Sequence, residues 1–136
     1  MSCVSALIVV RVETATGHVQ FLARFSYDGG DPYVVQAEFL DGDKVLARWH
    51  FDRQMLSEGL HRPVGEGDVA FRPAQGSGRD ELRVDLIGRI ADRQDNAVVF
   101  VDAPGLRGFL NETYAAVAAG EEFLDLDRLL DEFLAR

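Results

Sequence analysis

Val19, Phe21, Ala23, Phe25 and Tyr27 alternate with Gln20, Leu22, Arg24 and Ser26, and the same period of two returns in Tyr33, Val35, Ala37 and Phe39 and in Val45, Ala47, Trp49 and Phe51. Successive side chains of a strand point to opposite faces, so each run lays its apolar residues on one side of an extended segment. Between the runs stand Asp28-Gly29-Gly30-Asp31-Pro32 and Asp41-Gly42-Asp43. Glycine accepts positive φ, Pro32 holds Asp31 extended, and an Asp-Gly pair closes a tight hairpin. An antiparallel meander is expected, with Tyr27, Tyr33, Trp49 and Phe51 in its core.

The flanking segments extend this pattern. Residues 3–13 are rich in Val, Ile and Leu and end at Thr14-Ala15-Thr16-Gly17, which reads as a strand and a turn, with Cys3 half-buried. After Phe51 the period changes: Asp52 is placed as an N-cap, and Met55, Leu56 and Leu60 follow at helical spacing with Gly59 near the end. Residues 61–67 contain Pro63, Gly65 and Gly67 and read as a loop. Strands are expected at 68–73, 82–90 and 97–102, with turns at 75–78 and 92–96. Leu106, Phe109, Leu110, Tyr114 and Val117 form an amphipathic helix with Pro104 in its first turn. A second C-terminal helix carries Leu126, Leu129, Leu130, Phe133 and Leu134 on one stripe. Sheet first and helices last predicts an α+β fold in a single domain over residues 1–136.

Catalytic chemistry finds no foothold. Cys3, His18, His50 and His61 lie on separate elements without zinc-ligand spacing, so neither metal nor cofactor is expected. Gly65-Glu66-Gly67-Asp68-Val69-Ala70 has the outline of a nucleotide fingerprint, but it leads into a strand and carries two carboxylates where a pyrophosphate would sit. Asp41-Gly42-Asp43 lacks the remaining ligands of a calcium loop. No Ser or Cys has a recognisable base partner, and Glu121, Glu122, Asp125, Asp127, Asp131 and Glu132 read as solvated helix faces. A net charge of -9 repels phosphate backbones. There is no signal-peptide pattern and no apolar run of the roughly 20 residues that a membrane span needs, so a cytoplasmic protein is expected.

Tyr27-Asp28, Asp31-Pro32-Tyr33-Val34-Val35, Trp49-x-Phe51, Leu56-x-x-Gly59-Leu60 and Arg62-Pro63-x-Gly65-x-Gly67-Asp68-Val69 follow one another at fixed gaps. In order and spacing this string resembles the SsgA-like sporulation and cell-division proteins of actinomycetes, most closely their SsgB branch. Phe123-Leu124-Asp125-Leu126-Asp127 is similar to their C-terminal end as well. The resemblance implies a Whirly-type fold, a homotrimer, and a non-enzymatic adaptor. Such an adaptor localises the tubulin-like protein FtsZ at septum sites or promotes its assembly, works with other SsgA-like proteins, and links to septal wall remodelling. It implies no motif-defined active site. The exposed loop residues His61 and Arg62 are the candidates for partner contact, since loops carry binding more often than strands do. The alternative is a module for single-stranded nucleic acid, suggested by the Whirly likeness and opposed by the charge.

Overall fold

A computed structural model describes residues 3–76, 78–90 and 93–122. Among the described residues eight strands form one antiparallel sheet: β1 Cys3–Thr14, β2 Gly17–Asp28, β3 Val34–Asp41, β4 Lys44–Asp52, β5 Val64–Glu66, β6 Val69–Gly76, β7 Arg79–Ile90 and β8 Arg93–Asp102. Their order is β4-β3-β2-β1-β8-β7-β6-β5, so two consecutive meanders meet at the β1–β8 pair. That junction is short, with Val10↔Val101, Arg11↔Phe100 and Val12↔Val99 as its registered partners.

The two helices of the described residues lie on one face. Helix α1, Arg53–Gly59, begins at Asp52, whose carboxylate accepts from the Met55 N–H at 3.0 Å as the sequence predicts. Helix α2, Ala103–Ala116, begins at Asp102, which accepts from the Gly105 N–H at 3.0 Å, and Pro104 occupies its first turn. Leu106, Phe109 and Leu110 turn inward onto Ile8, Val10, Phe25, Leu82 and Val101. Each such side chain stabilises the fold by about 2 kcal/mol on leaving water. Helix α1 touches β4 at one sheet edge and β5 and β6 at the other. Phe51 of β4 and Phe71 of β6 meet edge to face, with ring centroids 5.6 Å apart. The sheet therefore curls into a half-barrel, and α1 fills the gap between its ends.

Several expectations need correction. Residues 61–67 are not a continuous loop: Val64–Glu66 forms β5, which pairs Val64↔Phe71 and Glu66↔Val69. Gly67 at φ 61° makes the reversal possible, and Val64 packs against the core. Strand β8 starts at Arg93, so residues 93–96, expected as turn, are paired with Ile87 to Ile90 of β7. Tyr33 precedes β3 and is 44% exposed, because the turn through Pro32 brings it outside the sheet. Trp49 is half-buried, stacked on Phe51 near the open edge. Val19, at the far end of β2, is exposed, as is Cys3 at the start of β1. The second C-terminal helix lies outside the described residues.

Candidate interaction surface

The C-terminal turn of α1 presents the two residues marked for contact. The Glu58 carbonyl accepts from the N–H of both His61 and Arg62, at 2.9 and 3.0 Å, which winds the chain down after Leu60. The Glu58 carboxylate accepts from Arg62 Nη2 at 2.8 Å and from Gln54 Nε2 at 3.1 Å. His61 and Arg62 are both exposed. Beside them runs a shallow groove of about 460 Å³, lined by Pro63, Val64, Gly65, Ala70, Phe71, Arg72 and Asp85. A Cβ on Gly65 would stand 3.2 Å from the Val69 carbonyl and 3.3 Å from Ala70, so glycine keeps the hairpin tight and the groove open. The loop and the largely apolar trough beside it form one exposed surface, on which the Arg62 charge is shared with Glu58.

The surface is held in place by a residue that sequence reasoning overlooked. Arg53 is 1% exposed at the start of α1. Its guanidinium lies 4.9 Å from the Tyr27 ring centroid and 4.0 Å from that of Tyr114. Arg53 Nη1 donates to the carbonyls of Thr113 and Val117, at 3.0 and 2.8 Å, and Nη2 donates to the Glu122 carboxylate at 2.8 Å. Those carbonyls end α2, which has no basic residue of its own in its last turn. A cation from α1 thus caps the negative end of α2. Its own backbone N–H and the Arg53 guanidinium hold the Glu122 carboxyl below the usual carboxylate range. Burial pushes the Tyr27 and Tyr114 hydroxyls up, against the pull of Arg53. Tyr27 Oη donates to the buried Pro32 carbonyl at 3.0 Å. Glu122, expected as part of a solvated acidic face, is therefore a structural partner.

The face of the sheet away from the helices carries paired charges. Arg11 is bonded to Glu81, Arg83 to Asp85, and Arg24 and Arg48 share Glu38. Phe100 lies among Arg11, Arg83 and His18. Cys3, Asp28, Asp31 and His50 border a groove of about 460 Å³ near the start of β1. Among the described residues no three His, Cys, Asp or Glu side chains are placed to hold a metal ion, and no helix is long and apolar enough to cross a membrane.

With the geometry in place, comparison with known proteins decides the lineage. The model of the family described as "Streptomyces sporulation and cell division protein, SsgA" matches residues 21–122. The chain belongs to the SsgA family. Sporulation-specific cell division protein SsgB of Streptomyces coelicolor is 38% identical over 115 residues, covering 83% of this chain and 81% of that one. SsgB of Thermobifida fusca is 35% identical over 119 residues, covering 86% and 83%. A solved structure described as "Mutations in SsgB correlate to longitudinal cell division during sporulation of Streptomyces coelicolor" superimposes with a TM-score of 0.78 at 32% identity. It covers 89% of this chain and 93% of its own. The SsgA-like sporulation-specific cell division protein of Thermobifida fusca YX-ER1 gives a TM-score of 0.77 at 28% identity, covering 97% and 95%. The SsgA match thus spans β2 to α2 and takes in the Arg53 hub and the loop at His61 and Arg62.

Proposed function

We propose that this chain is a non-enzymatic adaptor of sporulation-specific cell division. In this reading it brings FtsZ to septum sites or promotes its assembly there, and it connects the site to septal wall remodelling through recruited partners. The observation that carries the reading is the SsgA family match over residues 21–122, together with SsgB relatives over more than four-fifths of the chain. His61, Arg62 and the adjoining groove form the proposed contact surface. FtsZ and other SsgA-like proteins are the proposed partners, and the cytoplasmic side of the septum is the proposed location. A Whirly-type architecture and a homotrimer belong to the same reading.

Single-stranded nucleic acid is the weaker reading. The open-face arginines Arg11, Arg24, Arg48 and Arg83 are all engaged by carboxylates, which leaves little free charge to track a phosphate backbone.

Imaging tests the proposal. A fluorescent fusion to this chain, expressed in a sporulating actinomycete that lacks its own SsgB, is expected to form regularly spaced bands that coincide with FtsZ. Diffuse signal throughout septation contradicts the proposal.

A further inference from the structure

The face of the sheet away from the helices carries an apolar row that runs from β1 to β4. Val9 lies opposite Leu22, Leu22 opposite Leu40, and Leu40 opposite Val45, so the side chains stand next to one another across the strands. Val9 and Leu22 are 40% and 46% exposed, and Leu7, diagonal to Leu22, is 58% exposed. Contiguous apolar surface of this kind marks an interaction site.

The next row along the strands is charged. It runs Leu7, Arg24, Glu38, Arg48 through the same registers. Glu38 accepts from Arg48 at 3.0 Å and lies 3.7 Å from Arg24, and the Arg48 and Arg24 side chains are 62% and 48% exposed. Asp41 borders the same groove as Leu7, Leu22, Arg24 and Leu40. Two arginines and two carboxylates leave the patch without net charge, on a chain that carries -9. Neither a basic nor an acidic partner is favoured by such a patch, whereas a second copy meets no repulsion from it.

Both rows are complementary to themselves. A two-fold axis parallel to the strands, midway between β2 and β3, exchanges β1 with β4 and β2 with β3. It lays Val9 of one copy on Val45 of the other and Leu22 of one on Leu40 of the other. The charged row keeps its place along the strands, so Arg24 of each copy faces Glu38 of the other. Aligned sheets pack face to face in this way, about 10 Å apart. An isologous contact requires a patch that matches itself, and Arg24 and Glu38 on either side of the axis meet that requirement.

We infer that this face pairs two copies of the chain about such an axis, with the apolar rows stacked and Arg24 bonded to Glu38 in both directions. The curl of the sheet keeps the contact narrow, so a reversible association in the micromolar range is expected. The inference does not depend on the proposed role in division. Added to the proposed homotrimer, the same contact makes a hexamer.

Sedimentation equilibrium of the full chain tests it. The parent chain is expected to double its mass as concentration rises, and Leu22→Glu is expected to weaken that doubling at least about tenfold. Arg24→Glu alone, or Glu38→Arg alone, sets like charges against each other in both directions and is expected to weaken it about tenfold. In an equimolar mixture of these two variants each mixed pair regains opposite charges in both directions, so its affinity is expected within about threefold of the parent's. Mixing leaves the ion pairs inside each chain as they were, so a merely structural role for either residue gives no rescue. Thermal unfolding checks that each variant is folded, and Val9→Glu replaces Leu22→Glu if the latter is not. No doubling up to millimolar concentration overturns the inference. So does a doubling that Leu22→Glu leaves unchanged, or a mixture no tighter than its components.

Discussion

Arg53 shows how a single side chain can organise two helices. Its charge is removed from water, and in exchange it gains two aromatic faces, two carbonyls at the end of α2 and the Glu122 carboxylate. Arg53→Ala leaves those carbonyls without a donor and opens a void between Tyr27 and Tyr114, with an expected cost of about 3 kcal/mol in urea unfolding. Arg53→Lys keeps the charge but loses the planar fork, so its expected cost is smaller but still measurable. The residue was legible in part. Arg53, Leu56 and Leu60 share the spacing of one helical stripe, which places Arg53 on the inward face of α1. Its partners come from residues sixty or more positions away, and no local pattern announces them. Gly59 carries a second residue-scale prediction. A Cβ there would stand 2.5 Å from Phe71 Cβ, so Gly59→Ala is expected to destabilise the fold by about 2 kcal/mol despite the better helix propensity of alanine. Thermal unfolding of that variant alone decides whether α1 rests on β6 as closely as described.

At the scale of elements, the alternating runs of β2, β3 and β4 were legible because each buries one face in the common core, and that requirement writes itself into a period of two. β5 was not, since three residues are too few to show a period and Pro63, Gly65 and Gly67 carry loop signals of their own. Residues 93–96 were misread for a related reason: Arg93, Gln94, Asp95 and Asn96 are all polar, and such a run has the composition of a turn. The β1–β8 junction, where the two meanders meet, is fastened on its open face by Arg11 and Glu81, whose side chains are 16% and 12% exposed. The hydrogen bond from Arg11 holds the Glu81 carboxyl below its ordinary range. A carboxyl depressed by folding contributes stability above its unfolded pKa and loses that contribution as the pH falls through its folded value. Glu81→Gln is therefore expected to lower the unfolding midpoint near neutral pH, and the difference from the parent chain is expected to shrink towards about pH 3, below the ordinary glutamate range. Midpoints measured at both ends of that range check the sign. An equal deficit at both would assign the effect to packing.

For the whole molecule, the α+β class and the SsgA lineage were legible, the first from periodicity and the second from Tyr27 to Val69 at fixed gaps. The curl that brings β4 and β6 together was not, because it depends on α1 wedged between the sheet ends and on the contact of Phe51 with Phe71. His61 and Arg62 were placed on the surface correctly, yet the groove beside them arises from the β5–β6 hairpin, which had been read as loop. The central claim concerns what that surface does. Co-sedimentation of the purified chain with FtsZ polymers across a concentration series tests it most directly. The account predicts that the chain pellets with the polymers or increases their mass, that it hydrolyses no nucleotide itself, and that His61→Ala with Arg62→Glu weakens the effect about tenfold while leaving the unfolding midpoint in place. Polymer mass and length unchanged at every concentration, with the chain left in the supernatant, would contradict it.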